Sequence, residues 1–410
     1  MTAIANLDLT DVETFVRGEH HGLLATLRAH DPVHWNPTGD DSGFWALTKY
    51  DDVVQAYRDH ASFSSARGAI MGGSYRSEAD SSSGRMLVAS DLPRHRMIKH
   101  QMLPAFSTEM VRRARRQIAS HLDLAFETMR ANGGCDFATD IATELPAGAV
   151  VAILNVGREE AHELVRLTRM MIGFRDPSLI GPERATQFDD ERALLACIQS
   201  EIFDYFEDLI RLRRRQPGDD LVSMLLRSDM NGRPMPEEDI LYNCMNFAVG
   251  GNETSSYSAS AGVEALIEHP DQYELLLDRP GLLPSAVEEI LRWSSTACYV
   301  QRVATRDLDM RGVRIRAGDA VTLWNVSANR DEEQFRDPMR FDVQRSPNRH
   351  LTFGGGIHRC VGASVGLAEL GEVFGRLVQG RIRLAVSGEL RRLRSNFILG
   401  ITSMPVEIVS

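Results

Sequence analysis

The run Phe353-Gly-Gly-Gly-Ile-His-Arg-Cys360-Val-Gly362 restricts the fold more than any other stretch of the chain. It sets one thiol between a glycine turn and the start of a helix-like segment. Gly354, Gly355 and Gly356 permit a tight turn and a close approach of the backbone to a flat group. Val361–Val373, rich in Ala, Leu and Glu, reads as a helix whose free N–H groups and dipole favour an anion at its start. A thiol ligates iron as thiolate, well below its ordinary pKa of about 8.5. Cys360 is therefore a candidate ligand for a haem iron, Phe353 a shield for its sulfur, and His358 and Arg359 neighbours for a haem carboxylate. Taken alone, a buried and inert cysteine beside a glycine turn would read the same way.

The chain around this segment can build a large core: it has 410 residues, 43% of them hydrophobic. Its five cysteines, Cys135, Cys197, Cys244, Cys298 and Cys360, are scattered and lack any CxxC spacing. That pattern argues against a disulfide framework or a zinc site and fits a reducing cytosol. No stretch reads as a membrane span, so a cytoplasmic protein with no membrane partner is expected. The net charge of −11 argues against nucleic acid as a partner. Arginines and lysine nevertheless cluster at Arg94, Arg96, Lys99, Arg112 and Arg113, either as a solvated helix face or as a docking face for an acidic protein.

The periodicities predict a mainly α chain with a minor β part. Residues 30–50 alternate like strands, 96–300 are mostly helical, and short strand-like pieces follow. Leu399–Val409 reads as a hairpin. Residues 1–25 are expected to form an N-terminal arm of a single domain spanning 1–410. Residues 63–90, rich in serine and glycine, are expected to form a flexible loop over the active site.

Leu241–Glu268 is long enough for a central helix. Gly250 and Gly251 in its middle each disfavour helix by about 1 kcal/mol, so a close approach to a ligand or a local opening is expected there. Helical spacing places Asn246, Gly250, Glu253 and Thr254 on one broad face. An acid and an alcohol beside a ligand groove suggest proton delivery.

Four segments together carry a family resemblance. Phe353–Gly362 resembles the haem loop of the cytochrome P450 superfamily, and Gly250-Gly-Asn-Glu-Thr254 its oxygen-activation motif. Glu289-Ile-Leu-Arg292 resembles its ExxR motif, and Pro338-Met-Arg-Phe341 the segment that follows. Asp91-Leu-Pro-Arg-His95 and Ala328-Asn-Arg-Asp331 also resemble bacterial members. The matches run in family order over roughly 30–405.

The resemblance implies a single triangular, mostly helical fold enclosing haem b, with Cys360 as the metal ligand. It implies that Thr254 hydrogen-bonds dioxygen and that Glu253 links it to solvent protons. His95, Lys99, Arg302 and His358 would hold the haem carboxylates, and Gly250 and Gly354 would lie against the ring. Glu289 and Arg292, with Arg340 or Arg345, would form a buried network behind the loop, Arg340 being the arginine of the matching segment. Lys99 stands where many members carry arginine, and Leu367 where an arginine often follows the loop.

By the same resemblance the substrate pocket would be lined by Met86, Val88, Asn246, Val249, Thr296, Val300, Phe397 and Ile398. Asn246 is expected to hydrogen-bond a polar group of a medium-sized natural product. The implied activity is a haem-thiolate monooxygenase that hydroxylates or epoxidises a secondary metabolite, as in antibiotic biosynthesis. The chain shows no flavin or iron–sulfur motif, so ferredoxin and ferredoxin reductase are the expected electron donors. An enzyme that couples or rearranges its substrate would carry the same residues. A haem sensor would not need the Glu253–Thr254 pair.

Overall fold

The computed structural model describes residues 7–39, 42–71, 81–188 and 190–409. Helices α1 (Val12–Val16) and α2 (His20–His30) come first, and α3 (Tyr50–Arg58) follows the first strand pair. Then come α4 (Arg94–Met102), α5 (Thr108–Asn132), α6 (Glu144–Leu154) and α7 (Arg158–Ile172). The one-turn helices α8 (Pro177–Ile180) and α9 (Pro182–Ala185) lead to α10 (Glu191–Arg215) and α11 (Leu221–Leu226). The 32-residue α12 (Glu237–Glu268) precedes α13 (Pro270–Asp278), α14 (Leu283–Ser294), α15 (Asn325–Ala328) and α16 (Ala363–Gln379).

The central element is α12. Pro236 precedes its first turn, which carries Glu237, Glu238 and Asp239 where the helix dipole favours acids. It packs against α6, α7, α14 and α16, so most of its circumference is buried. The helix runs unbroken through Gly250 and Gly251, so of the two expected alternatives the local opening is absent. Hydroxyls stitch it internally: Thr254 Oγ1 donates to Gly250 O at 3.1 Å, and Ser260 Oγ to Ser256 O at 3.1 Å. Such bonds satisfy polar groups that the core would otherwise strand.

One five-stranded sheet has the order β1 (Val33–Gly39), β2 (Ser42–Leu47), β8 (Ala320–Leu323), β5 (Val300–Ala304), β3 (Phe63–Ser64), with only β2 and β8 parallel. A second sheet joins β4 (Gly134–Asp136), β12 (Pro405–Val409) and β9 (Arg383–Val386). Two further strand pairs are β6 (Leu308–Met310) with β7 (Val313–Ile315), and β10 (Arg391–Arg392) with β11 (Ile401–Ser403). The expected terminal hairpin is thereby corrected. β11 and β12 belong to different sheets because Asp136 seizes the link between them, accepting from Ser403 Oγ at 2.6 Å and Met404 N at 2.9 Å.

Of the expected N-terminal arm, residues 1–6 lie outside the described residues, while Leu9, Phe15 and Leu24 share a buried cluster with Trp324. Of the expected cover, 72–80 lie outside them. Its end docks on α12: Leu87 N donates to Asn243 Oδ1 at 2.9 Å, and Asn243 Nδ2 donates to Arg85 O at 2.8 Å. One apolar stretch, Phe137–Leu154, is long enough to cross a membrane by composition, yet 72% of it is buried among other helices as core.

Candidate active site

Gly354 and Gly356 adopt φ of +65° and +60°, a region that side chains resist. A Cβ on Gly356 would also stand 2.0 Å from Tyr57 O, so α3 and the loop touch through bare backbone. This turn carries Cys360 to the floor of a cavity of about 320 Å³, where its N–H donates to Phe353 O at 2.9 Å. The sulfur opens onto the cavity yet sits deep in the molecule. Burial pushes the thiol up, while the Gly362 N–H, Arg359 and Lys99 pull it down. A cation bound at the sulfur would complete that second trend.

Opposite Cys360, α12 contributes Asn246, Phe247, Gly250, Gly251, Thr254 and Ser258 to the cavity. Glu253 is not among the lining residues, which refines the expected face. At about 100° per residue the lining face centres near Thr254, and Glu253 lies roughly a quarter-turn away, toward α7. There it is 1% exposed, with Arg169 Nε 3.8 Å from Oε2 and neither oxygen hydrogen-bonded among the described residues. Burial raises its pKa to about 7 against the pull of Arg169.

At one edge of the cavity, His95 from α4, Arg302 from β5 and His358 converge. The two imidazoles lie 4.2 Å apart, and His358 Nε2 is buried with no hydrogen-bond partner among the described residues. Arg302 is buried, donates to Gln301 O at 2.7 Å, and has no ion-pair partner among the described residues. Burial depresses His95 to about 4 and His358 to about 2. Buried donors around an open cavity are costly unless an anion meets them. Lys99 lines the same region and donates to Ile357 O at 2.8 Å, fastening α4 to the loop. Gly250 and Gly251 add flat backbone, since a Cβ on either would meet nothing within 4 Å. A soft sulfur ligand, a flat wall and a basic edge fit a haem with its two carboxylates.

Behind the loop, Glu289 and Arg292 are both wholly buried and pair through Nε–Oε2 at 2.7 Å and Nη2–Oε1 at 2.8 Å. The second arginine on Glu289 is Arg345, whose Nε lies 3.1 Å from both oxygens. This corrects Arg340: its side chain is exposed, and only its carbonyl joins the network, accepting from Arg292 Nη2 at 3.2 Å.

Val88, Asn246, Thr296 and Val300 line the cavity, and Phe353 lies beside Cys360 in its wall. Met86, Val249, Phe397 and Ile398 do not. Met86 and Val249 pack sideways into the helical core, while Leu87 and Gly250 take the lining positions. Phe397 meets Tyr299 edge to face at 5.3 Å and Ile398 is sealed against Tyr257, leaving Ala297 to line the wall. Glu369 was not anticipated: it is buried, lines the cavity from α16, and is raised to about 8 by burial. Its signal was an acid in the helix that follows Cys360.

On the outer face, Lys99 turns inward and Arg94 pairs with Asp239. Arg112 pairs with Glu109 at 2.8 Å and Arg113 bonds Asn155 at 2.6 Å, while Arg96 is exposed.

The family model described as Cytochrome P450 matches residues 41–384. A methyl-branched lipid omega-hydroxylase of Mycobacterium bovis is 34% identical over 98% of this chain and 94% of its own. A linalool 8-monooxygenase of Pseudomonas putida is 30% identical over 98% of each chain. The crystal structure of OxyD, a P450 involved in the biosynthesis of vancomycin-type antibiotics, superposes with a TM-score of 0.87 at 32% identity. It covers 98% of this chain and is itself covered completely, at 100%.

Proposed function

The chain belongs to the cytochrome P450 family, and from that premise we propose that it oxidises a medium-sized, partly polar natural product by hydroxylation or epoxidation. The observation that carries this reading is one cavity with Cys360 on its floor, Thr254 on its opposite wall and Asn246 further along the same helix. When bound, haem b supplies dioxygen activation and oxygen transfer, with the cysteine thiolate favouring O–O cleavage.

The chain's own residues orient substrate and deliver protons. Leu87, Val88, Ala297 and Val300 provide apolar walls that exclude water. The Asn246 carboxamide faces the cavity with no hydrogen bond to a described residue, and it orients a polar group of the substrate. The Thr254 hydroxyl donates to Gly250 O at 3.1 Å; rotating off that carbonyl frees its proton for the cavity. Glu253, with a pKa near neutrality, replenishes that proton from the α7 side, where Arg169 stands. His95, Lys99, Arg302 and His358 hold the haem carboxylates.

The chain acts as one cytosolic domain, with the described stretches 65–71 and 81–90 covering the site, since Phe63 and Ser64 form strand β3 of the five-stranded sheet. Electrons come from a ferredoxin and its reductase, docking at Arg96, Arg112 and Arg113. Relatives named for linalool and for vancomycin-type antibiotics support a natural-product substrate. A branched lipid is the second reading, supported by the omega-hydroxylase.

A carbon-monoxide spectrum of the reduced protein tests thiolate ligation, and an unshifted Soret band in folded protein would rule it out. Spin-state titration against terpenoid, aromatic and branched-acyl panels separates the substrate readings. Oxygen from labelled dioxygen must then appear in the product.

A further inference from the structure

A second cavity, of about 250 Å³, lies beyond the end of α14 and shares no lining residue with the first. Leu291 and Thr296 face the haem-type cavity, whereas Trp293 and Ser294 face this one, so the end of α14 is the partition. The floor of the second cavity includes Phe15, His20, Ser294 and Arg330, all buried.

Arg330 is 2% exposed. Its Nη2 donates to Trp293 O at 2.7 Å, and its guanidinium lies 5.0 Å from the centroid of that indole. Among the described residues Nε and Nη1 have no hydrogen-bond partner, and no carboxylate forms an ion pair with the guanidinium. Nearby buried arginines are treated differently: Arg292 is paired with Glu289, and Arg28 with Glu332. Burial, compounded by Arg292 and Arg28, depresses Arg330 to about 9.

His20 adds two more unpartnered ring nitrogens and His21 adds its Nδ1. The two rings lie 4.0 Å apart, and Phe15 stacks on His20 at 5.2 Å. A buried guanidinium without an acid carries a large desolvation cost, and an anion that receives its two open N–H groups removes that cost. The mouth limits which anion enters. Glu268 is exposed there, and Glu264, bonded to Arg392, also lines the cavity. These acids disfavour a dianion such as phosphate. The remaining wall, from Leu393, Leu399 and Ile401, suits a short apolar tail.

We propose that this cavity is a binding site for a small organic monocarboxylate, held by Arg330 and His20 with its tail against Phe15, Leu393 and Ile401. The site is separate from the oxidising centre, and its occupant bridges the first helices of the chain to the end of α14.

The test is equilibrium dialysis of the haem-loaded protein against radiolabelled propionate in chloride buffer. An azole ligand held in the Cys360 cavity removes binding there. The expected result is about one equivalent bound per chain, weakened roughly tenfold or more in Arg330→Gln and in His20→Phe. His20→Phe keeps the ring volume and removes both nitrogens, and circular dichroism with the carbon-monoxide spectrum certifies its fold. It therefore decides the matter even if Arg330→Gln fails to fold. Undiminished binding in folded His20→Phe, or no saturable binding below about 10 mM, overturns the proposal.

Discussion

Arg169 Nε lies 3.8 Å from Glu253 Oε2, close enough to act by charge and too far for a hydrogen bond. The acid is on α12 and the base on α7, so the contact joins the cavity-lining helix to a neighbour that carries no cavity-lining residue.

This geometry predicts a pH signature. Glu253 ionises near pH 7, so turnover that draws a proton from it falls on the alkaline side of that value. Arg169→Met removes the cation that holds the pKa down and shifts the inflection to higher pH, whereas Arg169→Lys restores it in part. Glu253→Gln lacks the inflection. pH–rate profiles with solvent isotope effects read all three. Stability follows with a fixed sign. The folded value lies above the ordinary 4.5, so between those two values unfolding releases a proton. Stability therefore declines as pH rises from about 4.5 to about 7 and is level above, a total of roughly 3 kcal/mol for this one carboxyl. Urea denaturation of the parent minus that of Glu253→Gln isolates the slope.

Arg345 and Arg340 separate a side-chain role from a backbone one. Deleting the Arg345 side chain leaves Glu289 buried and under-compensated, so Arg345→Ala is expected to cost about 3–5 kcal/mol and to impair haem retention. Arg340→Ala keeps its carbonyl and removes only an exposed side chain, with a change within about 0.5 kcal/mol. Denaturation midpoints and haem content after gel filtration measure both.

The same pair shows where the sequence ceases to be legible. Glu289 and Arg292 are three residues apart on one helix, and Cys360 lies in a loop whose glycines take the positive φ they alone adopt easily. Such features are local and were readable. Arg345 reaches Glu289 from 56 residues away through an irregular stretch with no period to follow. Glu253 was readable as an acid, but its direction depends on α7 packing beside α12. Met86 and Val249 each miss the cavity by one residue, and Ile398 belongs to a segment that does not line it at all, because periodicity identifies an element more firmly than it identifies the residue facing a cavity. Glu369 needed the fold itself, since an acid on a helix ordinarily faces water.

Asn246 is where substrate choice is expected to show. It lines the cavity, and a site built to bond a polar group rejects the analogue that lacks it. Asn246→Leu is expected to weaken the true substrate by roughly tenfold or more while leaving an apolar analogue unchanged or tighter. Spin-state titration of both compounds against both proteins measures it. Equal weakening of the two would assign Asn246 to cavity shape alone.

Gly250 sets stability against function. A Cβ there meets no protein atom within 4 Å and projects into the cavity. Replacing a mid-helix glycine with alanine stabilises a helix by about 1 kcal/mol. Gly250→Ala should therefore raise the unfolding midpoint and still lower turnover roughly tenfold or more, because the methyl occupies space beside Thr254 where reacting groups must align. Gly371→Ala is the matched control. Its Cβ also meets nothing within 4 Å, and it lies on α16 outside the cavity lining. It should gain comparable stability with turnover unchanged. Equal turnover in the two variants would mean that the bare backbone at Gly250 serves the helix and not the site.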